Sequence, residues 1–244
     1  MKASYFSLAV AAALLAGCGS GEDGSVPQGE VAAAVEAPAG QQWFDVVATT
    51  PEGGWLVGNP NAPVKLVEYG SVTCPACAAF AIQGMQPLRE KYVDSGRVSW
   101  EFRSVPIHGA IDLVLTRLLK CAPKEAAPLL AEQLWTNVNQ VTEPVVQNAE
   151  ALQAAMNLPE NQRFVAYAET GKLLEFMAAR GISLDQGRVC LSDAAAIQAL
   201  AGQMQSQSEK DGVQGTPTFL VNGVKVDAIS WADLEPVLQR AGAR

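Results

Sequence analysis

Apolar spacing divides the chain into stretches of different period. Val64-Lys65-Leu66-Val67-Glu68-Tyr69 is short, mostly apolar and β-prone, and predicts a buried strand. Ala78 to Tyr92 fits a helix, which Pro87 is expected to kink. Val98, Trp100 and Phe102 alternate, predicting a second strand over Arg97 to Ser104. Strand patterning then stops. Residues 107–211 are rich in Ala, Leu, Gln and Glu, and Ile111, Val114, Leu115, Leu118 and Leu119 fall at helical spacing. Thr218-Phe219-Leu220-Val221 and Val224-Lys225-Val226 are again β-prone and flank Asn222-Gly223, a strong hairpin signal. A last helix follows. Ser230 with Asp233 offers a cap, but Pro236 would then lie inside the helix, which favours Asp233 as the cap.

The first residues are patterned for targeting. Met1-Lys2 gives a positive start, and Phe6 to Ala16 is an apolar run. The run is too short to span a bilayer, which takes roughly 18 or more apolar residues, and it suits a signal peptide over residues 1–17. It ends in Leu15-Ala16-Gly17-Cys18, which resembles the bacterial lipobox. That resemblance implies lipidation of Cys18 and a lipid anchor in a bacterial membrane. Gly19 is not an Asp-type retention residue, so delivery to either membrane stays open. Residues 18–40, with Gly, Ser, Ala and Pro but little pattern, read as a flexible tether.

At 244 residues with 49% hydrophobic and 17% charged positions, the chain can bury a sizeable core. The formal net charge is −8 and no Lys/Arg cluster is present, which argues against a nucleic-acid partner. Export changes how the five cysteines read, because disulfides persist outside the cytosol. With Cys18 lipidated, four remain and can pair completely.

Cys74-Pro75-Ala76-Cys77 lies between the first strand and its helix. A helix N-terminus offers unpaired N–H groups and positive partial charge, which stabilise a thiolate at Cys74. An exposed Cys74 and a more buried Cys77 would suit thiol–disulfide exchange through a mixed disulfide. Pro75 is tolerated in the first helical turn. A zinc site would want four ligands, and a second close-spaced Cys pair is absent, so no metal is expected. No Gly-rich phosphate loop is present and no organic cofactor is expected. His108, the only His, reads as a capping or packing residue. The five Trp are scattered and read as core and groove walls.

Residues 58–69 (Gly-Asn-Pro-Asn-Ala-Pro-Val-Lys-Leu-Val-Glu-Tyr), 73–77 (Thr-Cys-Pro-Ala-Cys) and 212–219 (Gly-Val-Gln-Gly-Thr-Pro-Thr-Phe) together resemble the DsbA family of periplasmic thiol–disulfide oxidoreductases. The resemblance is to its thioredoxin-4 branch and covers about 41–241. It implies an α/β thioredoxin fold over 41–106 and 212–244, with a helical domain inserted at 107–211. It assigns Thr216-Pro217 to a cis-proline loop that faces the Cys pair and pairs with substrate backbone. It assigns Glu68 to a buried acid that exchanges a proton with Cys77. Some members carry a second disulfide in the helical domain, which implies a Cys121–Cys190 staple. Ala76 departs from the strongest oxidants, which carry His there, and so implies a milder oxidant. Thr216 stands where some members carry Val.

The expected function is exchange of disulfides with reduced or unfolded exported proteins, with a membrane redox partner restoring the Cys pair. Reductase or isomerase action on the same fold is the alternative in direction. A chaperone-like peptide-binding module with an inert Cys pair is the alternative in class. The expected location is periplasmic and lipid-anchored.

Overall fold

The computed structural model describes residues 26–244. The signal peptide and Cys18 lie outside the described residues. Among the described residues no helix is long and apolar enough to cross a membrane.

Six strands form one sheet in the order β1-β2-β4-β3-β5-β6. They are β1 (Val47–Thr49), β2 (Trp55–Gly58), β3 (Val64–Gly70), β4 (Val98–Ser104), β5 (Thr218–Val221) and β6 (Val224–Val226). β3 and β4 are parallel, and the other pairs are antiparallel. The parallel pair needs a crossover. It is supplied by α1 (Pro75–Pro87) and the π-helical turn Leu88–Val93 that continues it. The kink expected at Pro87 thus takes the form of a change of helix type. β1 and β2 went unforeseen. At three and four residues they are too short for a periodic signal; β2 forms by pairing with β4, and β1 by pairing with β2.

Helices α2 (Ala110–Cys121), α3 (Ala127–Thr136), α4 (Val138–Gln147), α5 (Ala149–Met156), α6 (Glu160–Thr170), α7 (Leu173–Ala178), α8 (Leu184–Ser192) and α9 (Ala194–Lys210) follow β4 without an intervening strand. The chain then returns to the sheet. Asn222 and Gly223 both have positive φ, 51° and 81°, as a two-residue hairpin turn of the right twist requires. α10 (Trp231–Arg240) is capped by Ser230, not Asp233. Ser230 Oγ accepts from Asp233 N, and Asp233 Oδ2 accepts from Ser230 N. This reciprocal box outweighs Pro236, which sits within the helix at the cost of one backbone bond.

An aromatic column joins the sheet to the insertion. Trp55 and Phe102 stack at 5.9 Å, and Trp135 of α3 meets Phe102 edge-on at 5.0 Å. Trp135 Nε1 donates to Ser71 O at 2.9 Å, so this buried ring has its polar atom satisfied. The insertion is thereby pinned to the loop that leads into Cys74.

The tether reading is corrected over residues 26–40. Val26 and Ala32 are buried. Gly29 N donates to Arg240 O and Ala32 N to Gly242 O, both at 2.9 Å. Trp43 Nε1 donates to Val35 O at 2.7 Å. The segment is a strap laid over the C-terminal turn, held by backbone bonds that low-complexity composition did not announce.

Candidate active site

β3 ends at Gly70, and the turn Ser71-Val72-Thr73 delivers Cys74 to the N-cap of α1. Cys74 is extended, with φ −75° and ψ 125°, and Pro75 occupies the first helical turn. There its missing N–H costs nothing. Cys74 Sγ lies 3.4 Å from the Thr216 carbonyl, to which the thiol donates. Thr216–Pro217 is cis and leads into β5, which pairs with β3. The topology thus sets Thr216 and Pro217 against the Cys pair, with Thr216 142 positions beyond Cys74 in sequence.

The two thiols differ sharply. Cys74 is held down at about 5. The largest cause is the hydrogen bond from the Cys77 thiol; burial opposes it, and the Thr216 side chain and the N–H groups of Cys77 and Ala76 add support. Thr216 Oγ1 is buried with no other partner, so its hydroxyl is free to turn to the thiolate. Cys77 is fully buried. Its thiol is pushed up, chiefly by donating to Cys74, then by burial and the charge of Glu68. Cys74 itself is only 5% exposed, against the expectation of an open thiol. Its sulfur lies against the Thr216 carbonyl, and it is nearer the surface than Cys77.

Glu68 lies on β3 and is fully buried. Trp100 Nε1 donates to its Oε2 at 2.9 Å, while Oε1 has no partner. Burial raises its pKa to about 8; the Trp100 bond opposes this and the charge of Glu132 adds to it. A carboxyl that titrates near neutrality beside the buried Cys77 can take or give a proton.

Several contributors carried no sequence signal for the site. Trp100 reads as an ordinary alternating strand residue. Tyr69, Arg103 and Asp211 anchor the end of α9, just before the Thr216 loop. Tyr69 OH donates to Asp211 Oδ2 at 2.6 Å, and Arg103 Nη1 donates to Tyr69 OH at 2.9 Å. Arg103 also forks onto Glu101 at 2.8 and 2.9 Å. His108 lies beside the site: its Nδ1 is 2.8 Å from Thr73 Oγ1, one residue before Cys74. Cys121 and Cys190 are bonded to each other and join α2 to α8, away from the Cys74 pair. Among the described residues no cluster of three or more His, Cys, Asp or Glu could hold a metal.

A sheet with an adjacent cis-proline loop and a dithiol at a helix N-cap, one sulfur acidic and one buried, defines a thioredoxin-fold thiol–disulfide oxidoreductase. The thioredoxin family model Thioredoxin_4 matches residues 49–240, and the chain belongs to that family in its DsbA-like form. The crystal structure of protein-disulfide isomerase from Novosphingobium aromaticivorans is similar at 30% identity and a TM-score of 0.69, covering 76% of this chain and 96% of that one. Wolbachia pipientis alpha-DsbA1 shares the fold at 20% identity and a TM-score of 0.62, over 79% of this chain and 92% of its own. A Rickettsia bellii protein named as a protein-disulfide oxidoreductase is 22% identical over 205 residues, 81% of this chain and 68% of its own length. The inserted helical block, expected from the sequence, is part of this shared architecture.

Proposed function

We propose that Cys74 and Cys77 introduce disulfides into reduced exported proteins. The carrying observation is the acidic Cys74 thiol at the α1 N-cap, opposite cis Pro217. In the oxidised enzyme a client thiolate attacks Cys74 Sγ, forming a mixed disulfide. The Cys74–Cys77 bond breaks, and Cys77 leaves as a thiolate that takes a proton through Glu68. A second client thiolate attacks the client sulfur of the mixed disulfide and expels Cys74 as a thiolate. Two electrons pass from the client to the Cys pair. The backbone at Thr216 offers pairing to the client strand beside the reacting sulfur.

Direction follows from the stability of the reduced form. A thiolate stabilised by four donors favours the dithiol, so the enzyme gives up its disulfide readily. A membrane redox partner is then required to restore the bond. The test is the reduction potential together with oxidation of a reduced client. A potential close to about −120 mV supports donation, whereas one near about −270 mV reverses the direction. Equal activity of wild type and Cys74→Ser ends the enzymatic reading. The low exposure of Cys74 favours one rival, an inert peptide-binding module. Resistance of the oxidised pair to reductant in the folded protein would support that rival.

We further propose that Cys18 carries lipid and holds the domain on the periplasmic face of a membrane. The support is Leu15-Ala16-Gly17-Cys18 at the end of the apolar run. Palmitate labelling of wild type, but not of Cys18→Ser, is the expected outcome. Equal labelling sinks it.

A further inference from the structure

Asp112 is fully buried in the first turn of α2, and three donors converge on it. Ser71 Oγ and Thr73 Oγ1 donate to its Oδ1 at 2.9 and 2.7 Å. The backbone N–H of His108 donates to its Oδ2 at 2.8 Å. Thr73 has a single hydroxyl proton, and Asp112 receives it. The 2.8 Å contact between Thr73 Oγ1 and His108 Nδ1 must then draw its proton from the imidazole. Nδ1 is thus the donor in this contact, and Nε2 is left without a hydrogen-bond partner among the described residues.

The His108 side chain is 45% exposed. With Thr73, Pro75, Ile111, Val145 and Val146 it lines an apolar groove of about 370 Å³. Val146 is 74% exposed, on a helix whose only buried residue is Val141. Val146 of α4 therefore presents an uncovered apolar side chain to the groove, while Val145 beside it is partly packed on the core. A second groove runs beside Pro217 and Ile229 and shares no lining residue with this one.

Resting on the exchange reaction above, we propose that the His108 groove binds the residues flanking the client cysteine, and that His108 is a specificity-determining positioning residue. Its Nε2 accepts a hydrogen bond from a backbone N–H or a hydroxyl of the client. The occupant follows from continuity with the reacting sulfur. A mixed disulfide fixes the client cysteine on Cys74, and the residues on either side of Cys74 form the groove wall. One or two client residues, each spanning about 3.5 Å, reach into it. The lining selects an apolar side chain, and the unpaired acceptor selects a donor next to it.

The experiment compares two client peptides with the same cysteine pair, one flanked by Leu and one by Gly, and separates kcat from KM. The expected result is a wild-type preference for the Leu peptide. In Val146→Asp that preference falls by about tenfold, and the change appears in KM. His108→Ala removes a contact that both peptides make, so KM rises about tenfold for each while kcat is kept, and His108→Gln, which returns an acceptor, recovers most of that loss. A structural defect would instead lower kcat. Equal wild-type rates on the two peptides, a Leu preference intact in Val146→Asp, or an unchanged KM in His108→Ala overturn the inference while leaving the exchange reaction standing. A wild type inert towards both peptides overturns the exchange reading as well.

Discussion

Glu68 makes a pH-dependent cost that its amide removes. In the unfolded chain it titrates near 4.5, and in the folded protein near 8. Between those values the folded state binds the extra proton, so stability falls as pH rises from 4.5 and levels off above 8. For Glu68→Gln the amide does not titrate, and this slope disappears. The wild type should lose on the order of 3 to 4 kcal/mol relative to the variant between pH 5 and pH 8. The absolute offset includes the amide hydrogens that must find partners beside Trp100, but that offset does not vary with pH. Urea unfolding of both reduced proteins at pH 5, 6.5 and 8 reads the difference, with the remaining titrating groups held in common. A stability gap that stays constant across this range refutes the buried acid, as does one that widens in favour of the wild type at high pH. In stopped-flow assays the same variant should slow steps in which Cys77 gains or loses its proton, and leave attack at Cys74 less affected.

Other outcomes follow from the same coordinates. Cys74 absorbance near the thiolate band should titrate at about 5 and shift upward in Cys77→Ala and Thr216→Val, which each remove a donor. Because the folded value is lowered, this thiolate stabilises the reduced protein fully above the ordinary thiol value of 9, and that contribution is lost as pH falls through about 5; an unshifted midpoint in both variants would contradict the donor assignment. Replacing Cys121 and Cys190 together by Ser opens a loop with a sequence separation of 69. Denaturation should then cost about 4 kcal/mol less, by the chain-entropy relation, and a loss below about 1 kcal/mol would show the staple to be idle. In Gly29→Ala the new Cβ would lie 2.1 Å from Ala241 O, so hydrogen exchange of the strap amides at 29 and 32 should accelerate. Unchanged protection there would place the strap elsewhere.

Local pattern carried much of this protein. The alternation at Val98, Trp100 and Phe102, the Asn222-Gly223 turn and the helical spacing after Ile111 each depend on neighbours within a few residues, and each is legible without tertiary contacts. The Cys74-Pro75-Ala76-Cys77 spacing likewise states a dithiol at a helix start, because one helical turn brings the two sulfurs together. What the fold alone decided involves partners far apart in sequence. The Thr216 carbonyl against Cys74, Trp100 on Glu68, and the strap of residues 26–40 on Gly242 all depend on sheet order and packing. So does His108, which looks like an isolated imidazole in the sequence. Its proton is placed by Thr73 and Asp112, and its groove by α4 and α6. Hydrogen-bond donors and burial, which set the acidity of a group, are properties of its surroundings in space, and a one-dimensional pattern names the group without supplying them.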